Sequence, residues 1–254
     1  MENPERRKGK WRLPLTAVVL LILLSVVFAR SKKDIIETID WNGVSFDVVK
    51  VESGNGIVMG WADTTGKPLG QLEKFMIYSE YRGVPLGMAM NGGMYLKDQS
   101  PQGVFIENGV KHKSVNTDSA YGNFYLMPNG VFGITQNGDA RVLTRDLFIK
   151  SYTPWRYATQ SGPMLVINNS YHPAIRKGSS NVHIRNAVGV NEDGVVYFVI
   201  SNEKTNFYTL ASLFKERLNC PNALYLDGFV SKMRVPSEGR IEDGNFGVMI
   251  GVKK

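Results

Sequence analysis

Nine Asn-Gly and Asp-Gly steps punctuate this chain, and they limit what it can fold into more than any other feature. Asn-Gly recurs at 42, 55, 91, 108, 129 and 137, and Asp-Gly at 193, 227 and 243. Both steps tolerate positive φ at little cost, so each is a ready two-residue turn between strands. Between them lie short apolar or alternating runs: VSFDVVKV (44–51), GIVMGWA (56–62), VFIENGVKHKSV (104–115), NFYLMPNGVFGI (123–134), PMLVI (163–167), VVYFVIS (195–201), ALYL (223–226) and FGVMIGV (246–252). These read as strands. Several lack strict alternation, which is the pattern of a strand covered on both faces. Two segments change to helical period. QLEKFMIYSEYR (71–82) places Leu72, Phe75, Met76 and Ser79 on one side. TNFYTLASLFKERL (205–218) does the same with Phe207, Leu210, Leu213, Phe214 and Arg217 behind a Thr205 or Asn206 cap. With no Pro/Ser-rich linker and no long-period repeat, residues 41–254 are expected to form one α+β, strand-rich domain. It would hold a mixed or antiparallel sheet with a few amphipathic helices packed on it.

Residues 1–12 are basic, and residues 13–29 form the uncharged run LPLTAVVLLILLSVVFA, followed by RSKK. The run reads as a membrane anchor or a signal-peptide core, with residues 30–40 as a tether. Five Lys/Arg precede it and three follow. That excess predicts a cytoplasmic N-terminus and a globular part on the extracytoplasmic, periplasmic side, anchored to the inner membrane, or secreted if the run is cleaved. The formal charge of +7 belongs to this end. Residues 1–33 carry eight Lys/Arg and two Glu, or +6, which leaves +1 for the rest. No basic stripe with interleaved aromatics remains, so a nucleic-acid partner is not expected.

Cys220 is the only cysteine, which rules out an intramolecular disulfide, and His112, His172 and His183 show no i, i+4 pair. No cofactor is therefore expected. Polar and glycine-rich clusters follow apolar runs at MNGGMYLKD (90–98), ATQSGPMLV (158–166), HIRNAVGV (183–190) and ALYLDGFVSK (223–232). Loops at strand ends are where sheet proteins place chemistry. Asn91, Gly92 and Gly93 read either as a plain turn or as a place where backbone N–H groups can approach a phosphate or sugar oxygen. Ser161 lacks a GxSxG elbow, so it is a positioning hydroxyl or a turn rather than a nucleophile. Arg185 is either a paired structural ion or a fork for a phosphodiester. Asp227 is either a turn cap or a carboxylate at a strand end, placed to act as base or nucleophile.

NGGMY, SPQGVFIENG, GNFYLMPNGVF, ATQSGPMLV, RNAVGV and NALYLDGFVS, in this order over residues 85–232, resemble the phosphodiester glycosidase family. The resemblance implies an α+β domain that hydrolyses the bond between a sugar anomeric carbon and a phosphodiester. It implies catalytic roles for Asp227, Arg185 and Asn91, and substrate contacts from Gly92, Gly93, Tyr95, Gln160, Ser161, His183 and Ser231. The partner would be a glycan or sugar phosphate of the envelope. In the family the last motif continues from Asp-Gly into further glycines, whereas Phe229 and Val230 stand here and are expected to narrow the space beside Asp227. Two other readings stay open: a non-catalytic module binding envelope glycan or sugar phosphate, and a metal-assisted phosphodiesterase whose Asn and Asp oxygens hold a hard cation such as calcium.

Overall fold

Four of the nine Asn-Gly and Asp-Gly steps turn hairpins in the protein's computed structural model, which describes residues 34–254. Asn42 and Gly43 (φ 50° and 76°) join β1 (Ile36–Trp41) to β2 (Val44–Val51). Asn108 and Gly109 (49° and 82°) join β5 (Phe105–Glu107) to β6 (Val110–Lys113). Gly138 and Gly194 (92° and 81°) serve the hairpins of β7 (Gly130–Thr135) with β8 (Ala140–Thr144), and of β12 (Asn186–Val190) with β13 (Val196–Ser201). In all four, the residues that reach positive φ easily stand where the turn needs it. The step at Asn91 turns no hairpin.

Three sheets result, and every pairing between their strands is antiparallel. The largest runs β1-β2-β13-β12-β14-β10-β11, where β14 is Asn222–Asp227, β10 is Met164–Ile167 and β11 is Ser170–Tyr171. The second runs β16-β15-β4-β17-β3, from Arg240–Ile241 through Met233–Val235, Leu86–Asn91 and Met249–Lys253 to Ile57–Gly60. The third runs β6-β5-β9-β7-β8, with β9 spanning Trp155–Ser161.

The unalternated strands are covered twice. In β14, Leu224 and Leu226 join the core between the sheets with Val188, Phe198, Met90 and Phe132. Ala223 and Tyr225 face the other way, into a layer with Phe46, Val48, Leu210, Leu213 and Phe214. That second layer is roofed by α3 (Phe207–Ser212), whose Asn206 cap accepts a hydrogen bond from Thr209 N. The helix continues over Leu213–Arg217 with i to i−5 bonds, Leu218 N donating to Leu213 O. Arg217, expected on the buried side, is exposed because the wider turn rotates it outward. α1 (Leu72–Tyr81) buries Leu72, Phe75 and Ser79 as its spacing predicted, and α2 (Arg145–Lys150) places Phe148 against Trp155.

An ion network ties the first sheet to the second. Arg240 Nη1 bonds Asp47 Oδ2 and Asn202 Oδ1, while its Nε and Nη2 donate to Glu242 Oε2 at 3.0 and 2.8 Å. Asp47 Oδ1 also accepts from Thr38 Oγ1 and Asn202 Nδ2.

Some expectations need correction. The tether drawn over 30–40 is too long, since β1 begins at Ile36 and pairs with β2 through six residues. The strand read over 123–134 starts only at Gly130, because Asn123–Tyr125 forms a tight turn. The anchor or signal reading of 13–29 lies outside the described residues, among which no helix is long and apolar enough to cross a membrane.

Candidate active site

The antiparallel ladder between β12 and β14 slips at its end: Asn186 pairs with Asp227 but Ala187 pairs with Tyr225, leaving Leu226 as an extra residue. A bulge of this kind re-aims the side chain that follows it. Ser161, at the end of β9, holds the bulge by donating its Oγ to Leu226 O at 2.7 Å. Asn186 ties three strand ends together. Its Nδ2 donates to Asn91 O at 2.7 Å and to Asn91 Oδ1 at 3.2 Å, and its Oδ1 accepts from Asp227 N at 2.9 Å and from Ser231 Oγ at 3.2 Å. Asn91 Oδ1 in turn accepts from Lys232 N. Residues 91, 186, 227 and 231, far apart in sequence, thus form one hydrogen-bonded unit.

Asp227 is 8% exposed. Its Oδ1 accepts from Gly228 N and Phe229 N, the self-capping of an Asp-Gly turn, while Oδ2 has no hydrogen-bond partner among the described residues. Burial raises its pKa above the usual aspartate value, and the Phe229, Gly228 and Val230 N–H groups and the Asn91 amide pull it back. Asn91 Nδ2 is buried and donates to no full hydrogen bond, so it is a donor held beside the carboxylate in reserve.

Behind this unit stands Arg185, 0% exposed and with no carboxylate in ion-pairing distance among the described residues. Its guanidinium lies 3.9 Å from the Phe207 ring centroid. Nε donates to Thr205 O, Nη2 to Asn181 O and Oδ1, and Nη1 to Tyr225 Oη at 3.1 Å. Burial lowers its pKa, which marks the cost of keeping this charge inside without a counter-ion. Tyr225 is also buried, and burial raises its pKa; Arg185 lowers it and Asp227 raises it, so its hydroxyl feels both charges. A Cβ at Gly228 would lie 1.7 Å from Tyr225 Oη and 3.2 Å from Arg185 Nη1, so only glycine lets the chain pass here.

The expected residues separate into those that converge on this corner and those that do not. Asn91, Arg185, Asp227, Ser161 and Ser231 gather at it. Tyr95 is half-buried, with its pKa pushed up to about 12 by burial and by the Asp227 charge, and its hydroxyl donates to Asn245 O. The Gln160 amide is engaged within the protein. Its Oε1 accepts from Val104 N and Asn116 N and its Nε2 donates to Asn116 O, so its amide is spent bracing the loop at 116. Gly92 N is likewise used by Val248 O, which removes it as a phosphate donor. Gly93 is required by packing: a Cβ there would meet Thr159 Oγ1 at 2.2 Å. Ser231 Oγ is engaged with Asp227 O and Asn186 Oδ1. His183 is exposed, joined to Thr205 only through backbone bonds. The bidentate fork expected of Arg185 is occupied by Thr205 and Asn181, which leaves one Nη1 hydrogen unassigned. Phe229 does not narrow the space beside Asp227, being 91% exposed. No cluster of three His, Cys, Asp or Glu able to hold a metal occurs among the described residues.

The model of the phosphodiester glycosidase family matches residues 86–248, which include Asn91, Arg185, Asn186 and Asp227. The chain belongs to that family. The Escherichia coli (strain K12) protein YigE, itself uncharacterized, is 34% identical over 226 residues, 89% of this chain and 87% of YigE. Among solved structures, the catalytic domain of zebrafish N-acetylglucosamine-1-phosphodiester alpha-N-acetylglucosaminidase, auto-inhibited by its pro-peptide, superposes with a TM-score of 0.60. That match covers 89% of this chain and 85% of the zebrafish domain at 17% identity, and so bears on the fold alone.

Within the phosphodiester glycosidase match, two residues escaped the sequence reading. Asn186 left a faint signal, as the lone polar residue inside an apolar strand. Tyr225 left none, since in ALYL it reads as core.

Proposed function

We propose that the protein hydrolyses the bond between a sugar's anomeric carbon and a phosphodiester in an extracytoplasmic glycan. The observation that carries this reading is Arg185: a buried cation without a carboxylate, bonded to Tyr225 Oη beside a buried carboxylate, is a corner kept positive for an anion. Family membership supplies the reaction class.

Asp227, with its raised pKa, takes a proton from water as the water attacks the anomeric carbon. The C–O bond breaks, and its electrons leave with the phosphate. A phosphate monoester has its second ionisation near pH ~6, so it departs as a stable anion that needs charge stabilisation more than protonation. Ordinary glycosidases use a second carboxyl group as acid; here Tyr225 Oη, polarised by Arg185 Nη1, donates to the departing oxygen instead. Arg185 holds Tyr225 in place and supplies the positive charge that offsets the anion. The Asn91 amide, with no partner of its own, holds a sugar hydroxyl or the ionised Asp227. Substrate entry displaces the Gly228–Val230 turn, which Asp227 itself caps and whose exposed Phe229 packs on nothing that would hold it.

The test is turnover of a panel of sugar-1-phosphodiesters by the full chain in detergent and ¹⁸O-labelled water. Label entering the sugar supports the reading, and label entering the phosphate overturns it in favour of P–O cleavage. Asp227→Asn and Arg185→Ala should each lower turnover at least a hundredfold, and a variant with full turnover ends its assigned role. Sugar-phosphate binding without turnover supports the non-catalytic module instead.

A further inference from the structure

A cleft of about 630 Å³ lies between the 94–102 and 112–125 loops, within the usual size range of ligand sites. Its walls belong to segments that also build the candidate active site. Gln102 N donates to Met94 O, next to Gly93, and Asn116 is bonded at both backbone groups to the Gln160 amide. Tyr125 closes the tight turn whose Phe124 and Asn123 carbonyls would meet a Cβ at Gly162 at 2.9 and 3.2 Å, and the Asn123 side chain lies beside Tyr225. Gln160, then, spends its amide shaping this cleft.

The lining is polar but nearly balanced in charge, with Lys113 and Asp118 of opposite sign. Among the described residues, the Tyr125 hydroxyl, the Lys113 ammonium and the Asp118 carboxylate make no side-chain hydrogen bond or salt bridge, so donors and acceptors both stand open. The half-buried Tyr125 ring and the partly exposed Leu96 add apolar surface. A polyanion would want one sign of charge and a lipid a dry wall. A neutral oligosaccharide wants this mixture, with hydroxyls to hydrogen-bond and C–H faces to lay on an aromatic ring.

We infer that this cleft binds a neutral oligosaccharide continuous with the reacting sugar, so that the sugar bonded to phosphate is the reducing end of a longer glycan. The inference rests on the proposed function for its link to catalysis, but the cleft can be tested without turnover. Titration of the full chain in detergent with chitotriose, maltotriose and mannotriose should show binding of at least one. Tyr125→Ala and Asp118→Ala should each weaken it about tenfold, while Tyr152→Ala, a change at an exposed tyrosine elsewhere, should not. With phosphodiester substrates, KM should be at least tenfold lower for a trisaccharyl than for a monosaccharyl substrate, and Tyr125→Ala should close that gap with kcat within twofold. Absence of trisaccharide binding, or binding indifferent to both substitutions, overturns the cleft assignment. Absence of turnover on every phosphodiester, with trisaccharide binding intact, instead overturns the proposed function.

Discussion

Two arginines of this domain have opposite environments. Arg240 is half-buried and meets two carboxylates, Asp47 and Glu242, across the joint between the first and second sheets. Arg185 is fully buried and meets none; its bonds go to two carbonyls, an amide oxygen and a phenol. A charge taken out of water needs compensation, and the protein supplies it at Arg240 and withholds it at Arg185. The first arrangement is complete without a ligand. Under the function proposed above, the second takes its counter-charge from the substrate's phosphate, and the pair then separates a structural cation from a functional one in a single fold.

The contrast can be broken most directly by turnover. Arg185→Met should lower kcat/KM on the best sugar-1-phosphodiester at least a hundredfold, or about 2.7 kcal/mol of transition-state stabilisation, while Arg240→Met should lower it less than threefold. Comparable losses in both would erase the distinction. Anion linkage sharpens it next. Inorganic phosphate at about a hundred times its Kd should stabilise the wild-type chain by about 2.7 kcal/mol in thermal unfolding. Arg240→Met should keep that gain and Arg185→Met should lose it.

Intrinsic stability should reverse the order. Arg240→Met leaves Asp47 without its cation and should cost about 2 kcal/mol in urea unfolding, whereas Arg185→Met removes an uncompensated charge and should stay within about 1 kcal/mol of wild type. The smallest effect is a pH effect. The folded pKa of Asp227 is raised, so ionising it penalises the folded state from its unfolded pKa upward, and no penalty exists below that value. Asp227→Asn should therefore be more stable than wild type at pH 7 and equal to it at pH 3, as read from Tm. An equal offset at both pH values would mean the carboxyl is not strained by burial.

Hairpins at Asn42, Asn108, Asn137 and Asp193 were legible because a turn is a local matter of φ and the residues announce it. The motifs also point to Asn91, Arg185 and Asp227 together, and the fold brings them to one corner. What they actually touch was not legible. Gln160 and Gly92 looked available, but their partners, Asn116 and Val248, come from segments whose approach only the assembled sheets decide. The outward direction of Phe229 is set by the bend that follows β14, whose first two N–H groups Asp227 holds, and the slip at Leu226 sets where Asp227 points. Sequence therefore named Asn91, Ser161, Arg185, Asp227 and Ser231 at the corner, but neither Asn186 and Tyr225 nor which donors would be left over.

Gly228 carries one more implication. With Tyr225 Oη where its Cβ would be, this position admits no other residue without displacing the phenol that links Arg185 to Asp227. Saturation mutagenesis of the family's Asp-Gly step should thus return glycine alone, even though the neighbouring Phe229 accepts nearly any replacement. A strict requirement at this corner thus falls on the residue with no functional group to contribute.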